Sequence, residues 1–344
     1  SFEPAVAGAD YNLSSNGQKD IFVANVLSSW EQWHSVDGTG GIGDDVATGV
    51  ELQGSGLVIT GTIGNSVSFG DSALYNITPI GSIDIFVGLY DNDAWSSVAN
   101  AGNYGLNPPT IGDLVVDSNG FVYIVGGAST SQCCPTLSFS PFNTSAGDTI
   151  TMNIDGAAYM FVAKWNPWNG TWSWVKNAGG MMLETAASAI SVDSNDDLYV
   201  TGSVFGYSSG ILSFGNINVS VTATAGHELY VAKLSNNGTW QWAEGVFSTN
   251  SVSGSAIFID ASDNIFVTGG FQGTATFGNF TMISNSATCF FVAKMDSDDG
   301  TWKRVVNDGT SGSSGTTDIF ITSGVIFVIG HFSGTTTFAG NALS

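Results

Sequence analysis

One hairpin signature recurs five times along this chain, and no other feature limits its fold so strongly. The fullest copy runs Leu229-Tyr230-Val231-Ala232-Lys233-Leu234, then Ser235-Asn236-Asn237-Gly238-Thr239, then Trp240-Gln241-Trp242. It reads as a strand, a tight Asn-Gly turn and a second strand. The other copies are Ile21-Phe22-Val23-Ala24 with Trp30 and Trp33, Ile85-Phe86-Val87-Gly88 with Trp95, Met160-Phe161-Val162-Ala163-Lys164 with Trp172 and Trp174, and Phe290-Phe291-Val292-Ala293-Lys294 with Trp302. Their opening aromatics, Phe22, Phe86, Phe161, Tyr230 and Phe291, lie 64, 75, 69 and 61 residues apart. That period belongs to propellers and solenoids.

Two further signatures keep the same order. A second hairpin, Ala189 to Asp193, a polar turn, then Leu198 to Gly202, has counterparts over residues 49–61, 113–126, 256–269 and 318–330. A Phe-Gly-like step follows each, at Ser68-Phe69-Gly70, Ser138-Phe139-Ser140, Ser213-Phe214-Gly215, Thr276-Phe277-Gly278 and Thr337-Phe338-Ala339. Each unit therefore supplies four strands rich in Val, Ile, Phe and Tyr, and no long stretch has a helical apolar period. A four-stranded sheet buries neither face alone, whereas five packed radially bury both and leave only short edges. The expected fold is all-β: a five-bladed β-propeller with four antiparallel strands per blade, filling residues 1–344 as a single domain.

Complete blades are expected at about 46–99, 112–177, 187–246 and 254–307. Residues 20–36 give an outer hairpin without an inner one, and residues 318–332 an inner hairpin without an outer one. The N- and C-terminal hairpins are thus expected to form the last blade and close the ring within one chain, favoured by the local concentration of each half. The same halves pairing between chains would give a head-to-tail contact that does not close. Residues 1–19 and 339–344 are left over at this seam, to lie free, cover an edge or add a strand to a neighbour.

Tyr230-Val231-Ala232-Lys233-Leu234, Asn237-Gly238-Thr239-Trp240-Gln241-Trp242, Ala189-Ile190-Ser191-Val192-Asp193-Ser194 and Leu198-Tyr199-Val200-Thr201-Gly202-Ser203 together resemble the SBBP-type β-propeller repeat. The resemblance covers nearly the whole chain. It implies the architecture and an extracellular setting, and it brings no catalytic residues with it.

Charged residues are only 10% of the chain and Gly accounts for 45 of 344 residues, so the surface must be built largely from Ser, Thr, Asn and Gly. The net charge of −22 reflects 7 Lys and Arg against 29 Asp and Glu. Such a field disfavours nucleic acid and anionic membranes as partners. Solubility explains it at the simplest level; cation binding or a basic partner is the sharper reading. No run of 18 apolar residues is present, so no membrane-spanning helix is expected. The sequence opens Ser1-Phe2-Glu3-Pro4, and removal of a signal peptide is the expectation, with a secreted, cell-surface or virion-surface location. Cys133, Cys134 and Cys289 form neither a disulfide framework nor a metal pattern; buried thiols, a bridge from Cys289 to one neighbour, or a vicinal bridge all remain open.

Candidate chemistry is sparse. The inner strands begin with an axis-facing column, Gly49, Asp113, Ala189, Ala256 and Asp318. Five-bladed glycoside hydrolases place three carboxylates at this mouth. Only Asp113 and Asp318 are acidic here, so they are ligand-binding candidates that Glu51 or Asp45 would have to supplement; solvated mouth residues are the plainer reading. Asp296 and Asp298 in Asp296-Ser297-Asp298-Asp299-Gly300, like Asp91-Asn92-Asp93, carry the odd-position oxygens of a Ca²⁺ loop but lack its closing Glu. Asx-turn chemistry explains both without a metal, and no other cofactor is expected. The repeated tryptophans are expected to pack between blades. Trp165 and Trp168, flanking Pro167, break the pattern and are the candidates for a binding surface. His34, His227 and His331 are scattered, and no GxSxG, HExxH or P-loop pattern occurs. Seven sequons, at Asn12, Asn76, Asn143, Asn169, Asn218, Asn237 and Asn279, are about what chance gives for this composition. The expectation is a non-enzymatic structural or adhesive module, such as a subunit or decoration of a filament, surface layer or virion. Its partner would be itself or a surface glycan. A carbohydrate-binding propeller is the alternative, and a glycoside hydrolase the third reading.

Overall fold

Alternating and continuous apolar runs bounded by Gly and Asn turns produce strands throughout. The computed structural model describes residues 12–26, 33–70, 75–102, 108–129, 136–141, 150–153, 158–206, 208–222, 226–284, 288–308, 313–338 and 341–343. Every regular element among them is a β-strand. The first hairpin is β1 (Ile21–Val26) with β2 (Trp33–Gly41). Unit one holds β3 (Val46–Gln53), β4 (Gly56–Gly64), the short pair β5 (Val67–Phe69) and β6 (Tyr75–Ile77), then β7 (Ile83–Asp91) and β8 (Ala94–Gly102). Unit two repeats the plan with β9 (Thr110–Val116), β10 (Val122–Ser129), β11 (Thr136–Pro141), β12 (Ile150–Asn153), β13 (Ala158–Asn166) and β14 (Thr171–Ala178). Unit three has β15 (Leu183–Val192), β16 (Leu198–Gly206), β17 (Gly210–Phe214), β18 (Ile217–Val221), β19 (His227–Leu234) and β20 (Trp240–Ser248). Unit four has β21 (Ser251–Ile259), β22 (Ile265–Gln272), β23 (Thr274–Phe277), β24 (Phe280–Ile283), β25 (Cys289–Met295) and β26 (Trp302–Asn307). The last hairpin is β27 (Ser313–Thr322) with β28 (Val325–Ser333), followed by the short pair β29 (Thr336–Phe338) and β30 (Asn341–Leu343).

In each unit the four long strands form one antiparallel sheet in sequence order, β3-β4-β7-β8 in unit one and its equivalents in the other three. The expected hairpin limits agree with the strand bounds to within about five residues. The innermost strands, β3, β9, β15, β21 and β27, pack side by side in that order.

The units are equivalent down to their irregularities. Every inner hairpin has a bulge at the same point of its first strand, at Thr48, Gly112, Ser188, Ser255 and Thr317. Every outer hairpin skips one residue of its second strand, at His34, Ser96, Ser173, Gln241 and Lys303. Bulges re-aim side chains and add twist, so they recur where geometry repeats. They mark β1–β2 as an outer hairpin and β27–β28 as an inner one.

The short pairs cross between units. β5 hydrogen-bonds β2, β11 bonds β8 and β23 bonds β20, each time the outer strand of the preceding unit. Ser213 of β17 makes the equivalent bridge to Gly179, just past β14. The Phe of each step turns back into its own unit. Phe69, Phe139, Phe214 and Phe277, all at most 1% exposed, meet Trp95, Trp172, Trp240 and Trp302 edge-on at 5.0, 5.0, 4.9 and 5.1 Å. Phe86, Phe161, Tyr230 and Phe291 complete the four clusters. Edge-on pairs add to the burial of the rings themselves.

The first and last hairpins depart from expectation. Each is held by its neighbour, β1–β2 by β5 and by the apolar cluster that contains Ile21, Ile59 and Phe86, and β27 by unit four. They do not share a sheet: among the described residues β28 pairs with β27 alone, and β1 with β2 alone. Closure of the last blade within one chain is therefore not formed in this structure. Phe22 is 59% exposed and Val325, Ile326, Phe327 and Ile329 lie between 42% and 62%. Phe86, Phe161, Tyr230 and Phe291, the counterparts of Phe22, and Val122 and Tyr123, those of Ile326 and Phe327 in unit two, are at 0%.

Candidate functional site

Three places gather side chains that could act on something else: the starts of the inner strands, the turns of the inner hairpins, and the open edges of the first and last hairpins. Asp113, on β9, directly follows the bulge at Gly112. Its Oδ2 accepts from the N–H of Ile190 in unit three at 3.1 Å, and its Oδ1 from Leu114 at 2.8 Å. Burial pushes the Asp113 carboxyl up to about 6; the two N–H donors oppose the shift, and the charges of Asp318 and Glu51 add to it. Asp318 is on β27 and Glu51 on β3, so residues far apart in sequence face one space. Asp318 accepts from Ile319 N–H at 2.8 Å and is exposed, as is Glu51. Asp45 does not join them; it is 1% exposed and accepts from Gly41 and Gly64.

The inner-hairpin turns carry a cluster that the sequence reading missed. Asp117 Oδ1 accepts from Asn119 and Phe121 N–H, while its Oδ2 accepts from the Tyr123 hydroxyl at 2.8 Å and faces Lys164 Nζ at 3.7 Å. Asp193, Tyr199 and Lys233 repeat this arrangement at 2.9 and 3.6 Å. Each ammonium also lies over its tyrosine ring, at 4.9 and 5.0 Å. Burial drives both phenols far above their ordinary pKa and pulls the Lys164 ammonium down, against the pull of Asp117. A buried Asp-Tyr-Lys cluster in a single copy would suggest acid–base chemistry. Here it is a repeated turn fitting, and unit four has the same plan with Asp260, Phe266 and Lys294. The common six-residue interval from Asp to the aromatic was the available signal. The same turns are stapled to one another: Asp196 accepts from Ser118 N–H and hydroxyl, and Asp263 from Ser194 N–H and hydroxyl.

The other candidates separate. Trp165 is 0% exposed in the core of unit two, which corrects its reading as a binding-surface residue, while Trp168 is 58% exposed and stands edge-on to Phe121 at 5.4 Å. Asp296 accepts from Asp298 N–H at 2.9 Å and pairs with Lys303 at 3.0 Å, and those contacts hold its carboxyl below the usual range. Among the described residues no group of three or more His, Cys, Asp or Glu is placed to hold a metal. Asn12, Asn76, Asn169, Asn218, Asn237 and Asn279 are exposed; Asn143, Cys133 and Cys134 lie outside the described residues, and Cys289 is a buried thiol. His34 faces Asp93 at 3.6 Å. No described helix is long and apolar enough to cross a membrane.

At the joints between units, one side-chain position on the outer strand holds the next outer turn. Ser35 donates to Asp93, Ser97 to Pro167 O, Trp174 Nε1 to Asn236 O and Trp242 Nε1 to Ser297 O. The fifth occupant of that position is Arg304, exposed beside a cleft of ≈ 390 Å³ lined by Phe266, Val292, Lys294, Val306 and Ile326. No family model matches this chain, and no similar curated protein was found.

Proposed function

We propose that the chain is a five-bladed β-propeller related to the SBBP-type repeat, its fifth blade divided between the first and last hairpins. It serves as a non-enzymatic, extracellular structural or adhesive module that assembles into a filament, surface layer or virion coat. The observation that carries this reading is a pair of complementary hairpins with apolar, exposed edges: Phe22 is 59% exposed, whereas its counterparts Phe86, Phe161, Tyr230 and Phe291 are at 0%. The buried polar groups support it, because they serve the fold: both Asp113 oxygens accept backbone N–H groups, and the Asp-Tyr-Lys cluster recurs from unit to unit. A Ser- and Thr-rich surface with few charges fits an extracellular setting. Trp168 favours a second reading, a glycan contact by ring stacking, though it offers a single open ring.

Assembly is tested by light scattering with negative-stain microscopy across protein concentration and salt. Salt screens the self-repulsion of 22 net negative charges, so ordered particles are expected to grow with both variables. Molecules that stay monomeric at high salt and high concentration would refute an assembly role.

A further inference from the structure

In all four complete units the strand that follows the inner turn pairs with the opening aromatic strand in one register. Gly61 stands opposite Phe86, Gly126 opposite Phe161, Gly202 opposite Tyr230 and Gly269 opposite Phe291. The glycine is required twice over. A Cβ at these positions would lie 1.8–2.1 Å from a carbonyl oxygen of the inner strand, and 2.6–3.0 Å from the facing aromatic ring or its hydroxyl. Gly330 in β28 meets the first condition, at 2.0 Å from Gly315 O, but no ring lies over it. A cleft of ≈ 200 Å³ lies there instead, lined by Phe290, Gly315, Val328, Gly330 and Phe332. The ring that the repeat assigns to this seat is that of Phe22, which is 59% exposed on β1.

We propose that β28 and β1 are the two faces of an interface between copies of this chain. Strand Ile21–Val26 of one molecule adds to β28 of the next, with Phe22 over Gly330 and Val23 opposite Ile329. The proposal rests on the assembly reading and names its contact. A second copy is the occupant because, among the described residues, both edges lack a partner strand in the same molecule while each hairpin is already anchored on its other side. β2 is paired with β5, and β27 is tied to unit four by Ser314 to Thr288 O, Thr268 to Thr316 and the Phe258–Phe320 ring pair. β28 contributes to two separate clefts, Val328 and Gly330 to one and Ile326 to the other. Donor and acceptor are different surfaces, so the contact is heterologous and propagates head to tail.

The test uses chains in which Cys133, Cys134 and Cys289 are replaced, after confirming that circular dichroism and melting match the parent. Val23→Cys protein is mixed with Ile329→Cys protein under oxidising conditions. A disulfide between these single variants can form only between molecules, and the opposed positions suit a cross-strand bridge. The expected result is a covalent heterodimer whose yield rises with concentration and salt, falls at least tenfold with Phe22→Ser on the donor, and is missing when exposed Ile211→Cys replaces Ile329→Cys. No heterodimer, with an intramolecular bridge in the Val23→Cys/Ile329→Cys double variant, would show that the ring closes on itself; the inference would fall while five blades stood. No bridge in either experiment would remove the register and the inference together.

Discussion

At the scale of single residues, the chain repeats small fittings whose chemistry depends on a bulge or a register. Asp113 shows this. Its place near the start of an inner strand was legible from the repeat. The capture of its oxygens by Ile190 and Leu114 was not, because the bulge at Gly112 that precedes it leaves no trace in the apolar pattern. The folded carboxyl holds its proton up to about pH 6, against 3.8 as the ordinary value. The folded state therefore binds more protons across that window, and this group's contribution to stability falls as pH rises through it and is level above it. Asp113→Asn is expected to flatten that part of the melting-temperature profile between pH 4 and 7, by about 1–3 kcal/mol allowing for partial exposure; a variant profile parallel to the parent's would contradict the burial of this charge. Trp165 teaches a different lesson. It shares one face of β13 with Phe161 and Ala163, in a strand buried on both faces as far as Ala163, and that period-two placement outranks its closeness to Pro167.

At the scale of elements, hairpins and turns were legible and their partners were not. The Phe-Gly step announced a strand: β5, β17 and β23 end on its Phe, and β11 runs through it to Pro141. That these pairs hydrogen-bond the preceding unit while their Phe packs into their own could not be read locally, since register across units depends on how wedges sit together. Phe214 is fully buried against Tyr230 and Trp240, so Phe214→Ala should cost about 3–5 kcal/mol in urea unfolding. Phe22→Ala, at the equivalent of Tyr230, should cost well under 1 kcal/mol in dilute, low-salt solution, where the seam is unfilled. Equal losses would mean that Phe22 is seated in the isolated molecule.

At the scale of the whole molecule, five inner strands stand side by side, and Asp113 on the second senses Asp318 on the fifth. The repeated hairpins were legible, including the first and last, because each depends on the order of signatures along the chain. Whether the halves join was not legible: local concentration argues for joining within one chain, while the structure leaves β1 and β28 apart. The most direct measurement is electron cryomicroscopy of the purified protein at high salt, resolved well enough to count wedges. Five four-stranded wedges about one axis are expected, the fifth built from an inner and an outer hairpin. A different number of wedges, or a fold with no common axis, would contradict the five-unit architecture and the assembly built on it.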